Sequence, residues 1–368
     1  MRIAQVAPVV ESIPPLRYGG TERVVAAAVA ELVALGHEVT LYASGDSVTE
    51  ARLIPIVEEA LWRAGGTVSD LIVHLTEMGR VVREASDYDV IHSHVDVLGF
   101  EFGRQSPTPF VHTMHGRLDL SELRGFIDEF PDAPLVSISN NQRRPLADAN
   151  WIATVYNGVP VDSLPFGAGE GKYLAFLGRI SPEKGVAEAI DVAIRAGIPL
   201  KIAARMPLAS VDNEWVARDW TYYQEEIKPR LDHPLIEFIG EVDDQGKGAL
   251  LKDAMGLLFP INWPEPFGLA MVEALACGTP VIARSVGSAP EILSHGYTGF
   301  LCNTVDEMVE SCGQLEAINR GACRQEVEDR FSARAMAEGY VDVYHKVIES
   351  STRQPATCTA ISGLSHLA

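Results

Sequence analysis

The chain has 368 residues and a formal net charge of −20, so its overall field repels nucleic acids and anionic lipid surfaces. One hydrophobic core seldom serves a chain of this length, and two domains are expected. The composition, 47% hydrophobic and 22% charged, is that of an ordinary folded protein. We therefore expect no nucleic-acid partner, although a single pocket can still be locally basic.

Neither the N-terminus nor the cysteines indicate export. The segment MRIAQVAPVV lacks the basic stretch and long apolar run of a signal peptide, and no stretch approaches the length of a membrane span. The 5 cysteines are odd in number and no pair has CxxC spacing, which favours neither a disulfide framework nor a zinc site. The sequence therefore predicts a reduced, cytoplasmic protein.

Short apolar runs alternate with helical segments in the first half of the chain. A predicted strand over 2–9 precedes a helix over 21–36, which Gly36 ends. Further strands are predicted over 37–44, 89–95, 109–115, 134–139 and 151–158. Buried strands that alternate with helices indicate a mostly parallel sheet covered on both faces.

The same alternation restarts after a segment rich in glycine and proline, residues 157–172, which we interpret as an interdomain linker. Strands are predicted over 172–178, 199–204, 235–240, 255–261, 279–283 and 298–302. The predicted fold is therefore α/β, with two doubly wound, Rossmann-like domains that face each other across a cleft. The domains are expected to span residues 1–160 and 161–331.

An amphipathic helix over 331–349, with Ser332 as its N-cap, is predicted to close the structure. We expect this closing segment, residues 332–350, to pack back towards the first domain, and residues 351–368 to be disordered. One face of the helix carries its apolar side chains: Met336, Tyr340, Val343, Tyr344 and Val347.

Ligands of doubly wound sheets bind beyond the carboxyl ends of the strands, and four segments fall there. The first, RYGGTER, places Gly19 and Gly20 directly before the first helix, where backbone N–H groups can approach an anion. A flexible turn is the alternative interpretation. The segment is not GxGxxG, so a dinucleotide fingerprint is absent here.

The second segment, FLGRISPEKGV, follows a predicted strand and carries Arg179 and Lys184. A guanidinium fork and a point charge above one end of a sheet suit a diphosphate. Two solvated surface cations are the alternative.

The third segment, HTMHG, ends in His115 and Gly116, and a neutral His115 can donate a hydrogen bond to a sugar hydroxyl or a phosphate. His92, His94 and His112 lie nearby in the sequence, but no acidic partners accompany them. We therefore predict no metal site, and we interpret the DYD at 87–89, which precedes its strand, as a surface turn.

The fourth segment, PEPFGLAMVEALACGTPV, contains a helix from about 268 to 277 that is apolar on nearly every face. The free N–H groups of Phe267, Gly268 and Leu269 at its start favour an anion or a hydroxyl group. Glu265 and Glu273 would be costly there without partners, but a polyhydroxylated ligand can supply donors to both. Buried salt bridges with Arg179 or Lys184 are the alternative.

Together, FLGRISPEKGV and the later PEPFGLAMVEALACGTPVIA resemble the nucleotide-sugar site of glycosyltransferase family 4, and the similarity covers most of the chain. The resemblance implies the GT-B fold, an N-terminal domain that binds the acceptor, a C-terminal domain that binds the nucleotide sugar, and transfer with retention of configuration. The loop 285–301 also fits the family, with Ser288 where a glycine is common. The turn AAR at 203–205 replaces a more usual glycine-containing turn in the base pocket.

The resemblance also implies roles for individual residues. Arg179 and Lys184 would bind the donor diphosphate, and Glu265 with the backbone of Phe267, Gly268 and Leu269 would hold the donor sugar. Glu273 would hold the ribose, and His115 would lie over the sugar. Gly19 and Gly20 would face the phosphates or the acceptor. The implied catalytic residues are His115, Arg179, Lys184 and Glu265.

The resulting hypothesis is a metal-independent hexosyltransferase without a cofactor, whose donor is a nucleoside-diphosphate sugar such as UDP-glucose. The segment 51–84 mixes charges without a basic face, which favours a small-molecule or soluble-glycan acceptor and leaves peripheral membrane contact open. Two alternatives remain at this stage: a nucleotide-sugar epimerase or hydrolase with the same fold, and a sugar-nucleotide-binding protein without catalysis.

Overall fold

The computed structural model describes residues 1–16, 19–63, 70–207 and 214–353. Within these ranges the chain forms two parallel sheets, one in each half, which confirms the predicted α/β architecture of two doubly wound domains. None of the described helices is both long and apolar enough to cross a bilayer.

The first sheet has seven strands in the order β3-β2-β1-β4-β5-β6-β7, and each described pairing within it is parallel. Its strands are β1 Arg2–Val6, β2 Glu38–Ser44, β3 Arg52–Val57, β4 Val90–Ser93, β5 Phe110–Met114, β6 Leu135–Ser137 and β7 Trp151–Thr154. The helices of this half are α1 Gly20–Ala34, α2 Asp70–Arg83, α3 Phe100–Gln105 and α4 Ser121–Glu129. The strand order reverses between β1 and β4, which creates a crevice at the carboxyl edge.

The second sheet has six strands in the order β10-β9-β8-β11-β12-β13, and it repeats the reversal between β8 and β11. Its strands are β8 Leu174–Arg179, β9 Leu200–Arg205, β10 Ile236–Gly240, β11 Gly256–Phe259, β12 Val281–Arg284 and β13 Gly299–Cys302. Its helices are α5 Val186–Ala196, α6 Glu214–Tyr222, α7 Asp244–Asp253, α8 Leu269–Ala276, α9 Ala289–Ile292, α10 Val305–Cys312 and α11 Arg320–Arg330. All of the strands predicted for this half are confirmed within a few residues.

The last helix, α12 Ala333–Arg353, packs on the first sheet although it follows the second one in the chain. Ser332 caps it, because its hydroxyl accepts a hydrogen bond from the N–H of Ala335 at 3.2 Å. The predicted apolar face is confirmed, since each of its members is at most 5% exposed: Met336, Tyr340, Val343, Tyr344 and Val347.

Two expectations need correction. The strand β3 was not predicted, because Pro55 interrupts a short strand that lies at the edge of the sheet, where proline is tolerated. The tail was expected to be disordered from residue 351, but the helix α12 continues to Arg353. The remainder of the tail, 354–368, lies outside the described residues.

Candidate active site

A cavity lies between the two sheets, at the carboxyl ends of their strands. Loops from both halves form its walls, as expected for facing doubly wound domains. The structure brings together in this cavity every site residue proposed from the sequence: Gly19, Gly20, His115, Arg179, Lys184, Glu265, Phe267, Gly268, Leu269 and Glu273.

Lys184 and Glu265 form an ion pair in the wall of the cavity. The lysine Nζ lies 2.7 Å from Glu265 Oε2, and the two side chains are only 17% and 14% exposed. The lysine ends a short 3₁₀ turn, Pro182–Lys184, after β8, and the ammonium also lies 5.6 Å from the Trp263 ring. The pair therefore joins the ends of β8 and β11 at one point.

Glycine is required beside this lysine. Gly185 has φ +72°, and a Cβ at this position would lie 2.4 Å from the carbonyl oxygen of Pro260. Any side chain would push the turn away from the end of β11. The close approach of the two backbones places Lys184 within reach of Glu265.

Arg179 is already engaged by carboxylates. Its guanidinium forms ion pairs with Glu183 and Asp219, and Arg218 contacts the same two carboxylates at 2.7 Å. Burial by itself raises the pKa of Glu183, but backbone hydrogen bonding and the charges of Arg179 and Arg218 lower that pKa overall. The guanidinium has N–H groups beyond those used in these pairs, so it can still donate to a phosphate.

The loop before α8 is held by the segment that precedes α9. Gly287, with φ +60°, lies so close to this loop that a Cβ would sit 2.5 Å from the backbone nitrogen of Glu265. Ser288 donates its backbone N–H to Glu265 O at 3.1 Å and its hydroxyl to Phe267 O. The serine that replaces a more common glycine therefore fixes the backbone at the start of α8.

The helix α8 begins at Leu269, after Gly268 in the left-handed conformation. A Cβ on Gly268 would lie 2.7 Å from Met271 Cε and 3.0 Å from the Phe259 ring, so a larger residue does not fit. Gly268, Leu269 and Ala270, at the start of the helix, line the cavity. The first N–H groups of a helix have no partner within it, so they can donate hydrogen bonds to an anionic or hydroxyl group there.

Glu273 is 7% exposed and forms an ion pair with Lys247 of α7, which sequence analysis did not identify. Lys247 Nζ also lies 3.0 Å from Asp244, and Asp244 pairs with Arg23 of α1, in the opposite half. A chain of alternating charges therefore crosses the cleft and ends at Glu273. The sequence did contain a signal for Lys247. It lies three and four residues before the apolar Leu250 and Leu251, a spacing that places a helical residue on the same buried face.

The alternative considered for the two glutamates is therefore present in part. Glu265 does pair with Lys184, whereas Glu273 pairs with Lys247 instead of Arg179 or Lys184. The two glutamates and their two lysine partners nevertheless all line the cavity, so a ligand can reach them.

The first half contributes glycines and a histidine. Gly20 faces Leu269 across the cleft, with Leu269 Cδ1 at 4.0 Å from where its Cβ would be. His115 is half-buried, and burial lowers its pKa to about 4, so it is neutral at pH 7. Its Nε2 lies 2.9 Å from Nδ1 of His94, which is buried behind it.

The buried histidines behind His115 are hydrogen-bonded to protein groups. His92 contacts Tyr344 and Thr113, and His94 contacts Gln5. Among the residues that the structure describes, no group of three or more His, Cys, Asp or Glu side chains could hold a metal ion. Asp89 of the DYD segment bonds Arg2 at the opposite edge of the sheet, away from the cavity.

Two family models match the chain in succession. The model described as glycosyltransferase family 4 matches residues 18–163, and the model described as glycosyl transferases group 1 matches residues 166–332. Phosphatidyl-myo-inositol mannosyltransferase of Mycobacterium leprae is 27% identical over 292 residues, which is 73% of this chain and 76% of that protein. D-inositol 3-phosphate glycosyltransferase of Mycolicibacterium smegmatis is 26% identical over 339 residues, 78% and 76% of the two chains.

Solved structures of glycosyltransferases share the fold. AviGT4, a glycosyltransferase involved in avilamycin A biosynthesis, has a TM-score of 0.68 at 24% identity, with 95% of this chain and 98% of that one covered. Sucrose-phosphate synthase of Thermosynechococcus elongatus has a TM-score of 0.72 at 18% identity, with 95% and 99% covered. Alr3699/HepE of Anabaena, solved in complex with UDP, has a TM-score of 0.72 at 18% identity, with 94% and 100% covered.

The fold, the two models and these relatives define the chain as a glycosyltransferase enzyme with the GT-B fold. It belongs to the family 4 type of these enzymes, as the motifs in its sequence predicted.

Proposed function

We propose that the protein transfers a hexose from a nucleoside-diphosphate sugar to an acceptor hydroxyl, with retention of configuration and without a metal ion. The observation that carries this proposal is the Lys184–Glu265 pair, which shares one cavity with Glu273 and the start of α8. Cations, carboxylates and helix N–H groups are thereby gathered in one place, and a sugar nucleotide needs all three.

The diphosphate would bind between Arg179, Lys184 and the first N–H groups of α8. Cleavage of the sugar–phosphate bond leaves negative charge on the departing nucleotide, and these donors are held in place before it forms. Each well-placed donor of this kind contributes about 3 kcal/mol to the transition state. These donors would stabilise the leaving group without a divalent cation.

The carboxylates would hold the hydroxyl groups of the donor. Glu273 lies within the first two turns of α8, where it can accept hydrogen bonds from both hydroxyls of a ribose, while Lys247 compensates its charge. Glu265 would accept from the transferred sugar, and its partner Lys184 would turn towards the diphosphate. His115 would contact the sugar from the other side of the cleft.

Retention would follow from attack on the same face of the sugar as the leaving group. Glu265 and Glu273 are both held by lysines. They are thus placed as hydrogen-bond acceptors, and we do not assign either of them as a nucleophile. In this mechanism the departing phosphate takes the proton of the acceptor hydroxyl, and closure of the cleft excludes water.

The donor we propose is UDP-glucose. A structural neighbour, Alr3699/HepE, was solved with UDP and with UDP-glucose, which supports a uridine nucleotide in a cavity of this fold. The base would lie near the ends of β9 and β10, where Ala203, Ala204 and Val242 line the cavity. We also propose that the enzyme acts in the cytoplasm, as the sequence predicted.

The acceptor we propose is a small molecule or a soluble glycan. The curated relatives carry names that refer to inositol phosphate and to phosphatidylinositol, so both soluble and lipid acceptors occur among them. A net charge of −20 opposes binding to an anionic bilayer, which favours the soluble class. Sedimentation with anionic vesicles tests this choice, and co-sedimentation at physiological salt would contradict it.

Slow hydrolysis of UDP-glucose by the enzyme in EDTA tests the stereochemistry without knowledge of the acceptor. Proton NMR follows the anomeric signal of the released glucose before it mutarotates. We expect α-glucose first, and β-glucose as the first product would contradict retention.

Lys184→Gln should lower the rate of this UDP-glucose hydrolysis by a factor of about 100 or more, since one charged donor to the leaving group is lost.

A further inference from the structure

A buried hydrogen-bond network leads from the cavity to the closing helix α12. We call it the histidine network. Its members are His115, His94, Gln5, Tyr344, His92 and Thr113, and the distances between successive donor and acceptor atoms run from 2.7 to 2.9 Å. Every member except the cavity-lining His115 is at most 1% exposed. Because these groups are buried away from water, each of them needs a hydrogen-bond partner within the protein.

The amide of Gln5 sets the direction of the network. Its Nε2 donates to the hydroxyl of Tyr344 at 2.8 Å, so its Oε1 accepts from Nε2 of His94, also at 2.8 Å. Neutral His94 then carries its proton on Nε2 and has a lone pair on Nδ1. That lone pair accepts a hydrogen bond from the Nε2–H group of His115 at 2.9 Å. The other ring nitrogen of His115, Nδ1, is therefore unprotonated.

The same direction continues on the far side of Gln5. Tyr344, having accepted from the amide, donates to Nδ1 of His92, and Nε2 of His92 donates to Thr113 at 2.7 Å. The hydroxyl of Thr113 then points to Tyr340 at 3.4 Å. Each inner member donates once and accepts once along the path, so a reversal at one position would require a reversal at every position.

The three histidines are suited to this role because they stay neutral. Burial lowers the pKa of His92 and His94 well below the ordinary value, and it lowers the pKa of His115 to about 4. A neutral imidazole has one donor and one acceptor nitrogen, so a fixed direction fixes the tautomer of each ring.

We propose that Tyr344 is a positioning residue, which holds His115 as the Nε2–H tautomer so that its Nδ1 accepts a hydrogen bond from a hydroxyl of the donor sugar. This inference rests on the proposed function. It reverses the expectation from the sequence that His115 donates its hydrogen bond. The proposal also gives α12 a role in the site. This helix follows the second half in the chain, but it would position His115, which belongs to the first half.

Tyr340 provides a matched control for Tyr344. It lies one turn earlier on the same helix, is equally buried, and its ring stacks on that of Tyr344 with centroids 6.3 Å apart. Among the described residues, the one hydrogen bond to its hydroxyl is the long one that Thr113 donates at 3.4 Å. Tyr344→Phe removes the group that orients Gln5, whereas Tyr340→Phe removes an end of the network.

The experiment is long-range ¹⁵N–¹H NMR of the full chain labelled at histidine nitrogens, because the two tautomers of a neutral ring have distinct nitrogen shifts. We expect His115 to be Nε2–H in the wild type and in Tyr340→Phe, and a mixture of both tautomers in Tyr344→Phe. In turnover of UDP-glucose, kcat should fall about three- to tenfold in Tyr344→Phe, the effect of one lost hydrogen bond, while KM stays unchanged. Tyr340→Phe should remain within about twofold of the wild type.

Three results would overturn the inference: an Nδ1–H tautomer of His115 in the wild type, an unmixed tautomer in Tyr344→Phe, or equal kinetic losses in the two variants. The wild-type spectrum decides the first even if Tyr344→Phe does not fold. The spectra need no substrate. A failure to turn over any nucleotide sugar would therefore contradict the proposed function, and the spectra would still test the network.

Discussion

Lys247 and Glu273 show how one charge makes another tolerable beside the cavity. Both side chains are buried, and each charge would be costly to bury without the other. The same principle applies at Lys184 and Glu265, so both carboxylates are held in place by a lysine before any ligand binds. Each pair joins one positive and one negative side chain, so a ligand would meet little net charge at either pair.

Lys247→Met tests this dependence. The variant leaves Glu273 buried without its counter-charge, and we expect the free energy of unfolding to fall by about 3 kcal/mol. Lys252→Met, on the same helix and without a described ion pair, should change it by less than about 0.5 kcal/mol. Urea denaturation of both variants measures the difference, and equal stabilities would contradict the assigned role.

His112 makes the stability of the fold depend on pH. Burial lowers the pKa of His112 to about 3, whereas in the unfolded chain its pKa is about 6.5. Below pH 6.5 the unfolded state binds a proton that the folded state does not, so stability falls as the pH falls. One such histidine costs about 1.4 kcal/mol per pH unit between about pH 6 and pH 4.

Denaturation curves at several pH values in this window compare the wild type with His112→Asn. The asparagine does not titrate, so the slope of unfolding free energy against pH should become shallower by about 1.4 kcal/mol per unit. Identical slopes would show that His112 is protonated in the folded state.

At the scale of elements, the turn between β8 and α5 positions the lysine that would bind phosphate. The glycines at the two ends of α5 have nearly the same backbone, with φ +72° at Gly185 and +69° at Gly197. Their surroundings differ, because a Cβ at Gly185 would meet the Pro260 carbonyl at 2.4 Å, whereas a Cβ at Gly197 would meet nothing within 4 Å.

Alanine at each of these glycines separates backbone strain from displacement of the site. Gly197→Ala should cost about 1–2 kcal/mol, the strain of a left-handed residue, and leave nucleotide binding unchanged. Gly185→Ala should cost more and also weaken UDP binding, since the turn must move away from β11. Titration calorimetry with UDP compares the two, and equal affinities would contradict the assigned role of the turn.

Much of the site could be predicted at this scale, because strand ends and helix starts are visible in the sequence. Arg179, Lys184 and Glu265 lie beside such boundaries, and all three line the cavity. The partners were not predictable in the same way. Lys247 and Asp219 come from other helices, and only the tertiary packing brings them into contact.

The direction of the hydrogen bond at His115 could not be predicted from the sequence either. It depends on Gln5 in β1 and on Tyr344 in α12, which are separated by most of the chain. The unpredicted strand β3 has a related cause, since a proline within a short edge strand weakens its pattern.

At the scale of the whole molecule, the C-terminal helix α12 returns to the N-terminal half and completes the hydrophobic core of the first sheet. The two halves also touch through Arg23 and Asp244, and through Ser139, whose hydroxyl donates to Pro266 O at 2.6 Å. Substrate in the cavity would therefore contact loops whose positions depend on both halves.

Met336→Ala tests the closure by α12. This side chain is 2% exposed, and we expect a loss of about 2–5 kcal/mol, with hydrogen-exchange protection falling in β1, β4 and β5. Lys346→Ala, on the exposed face of the same helix, should lie within about 0.5 kcal/mol of the wild type. A loss of protection confined to the second sheet would contradict this account.

The central claim is that the cavity binds a nucleoside-diphosphate sugar without metal. It is tested most directly by thermal shift in EDTA with UDP, GDP, ADP and their sugar conjugates, using the wild type and Glu273→Gln. A ligand at 100 times its Kd should stabilise the wild type by about 2.7 kcal/mol, and the variant should show a smaller shift at the same concentration. The account predicts a shift with UDP and UDP-glucose. The absence of a shift with every nucleotide, or a shift that requires a divalent cation, would contradict it.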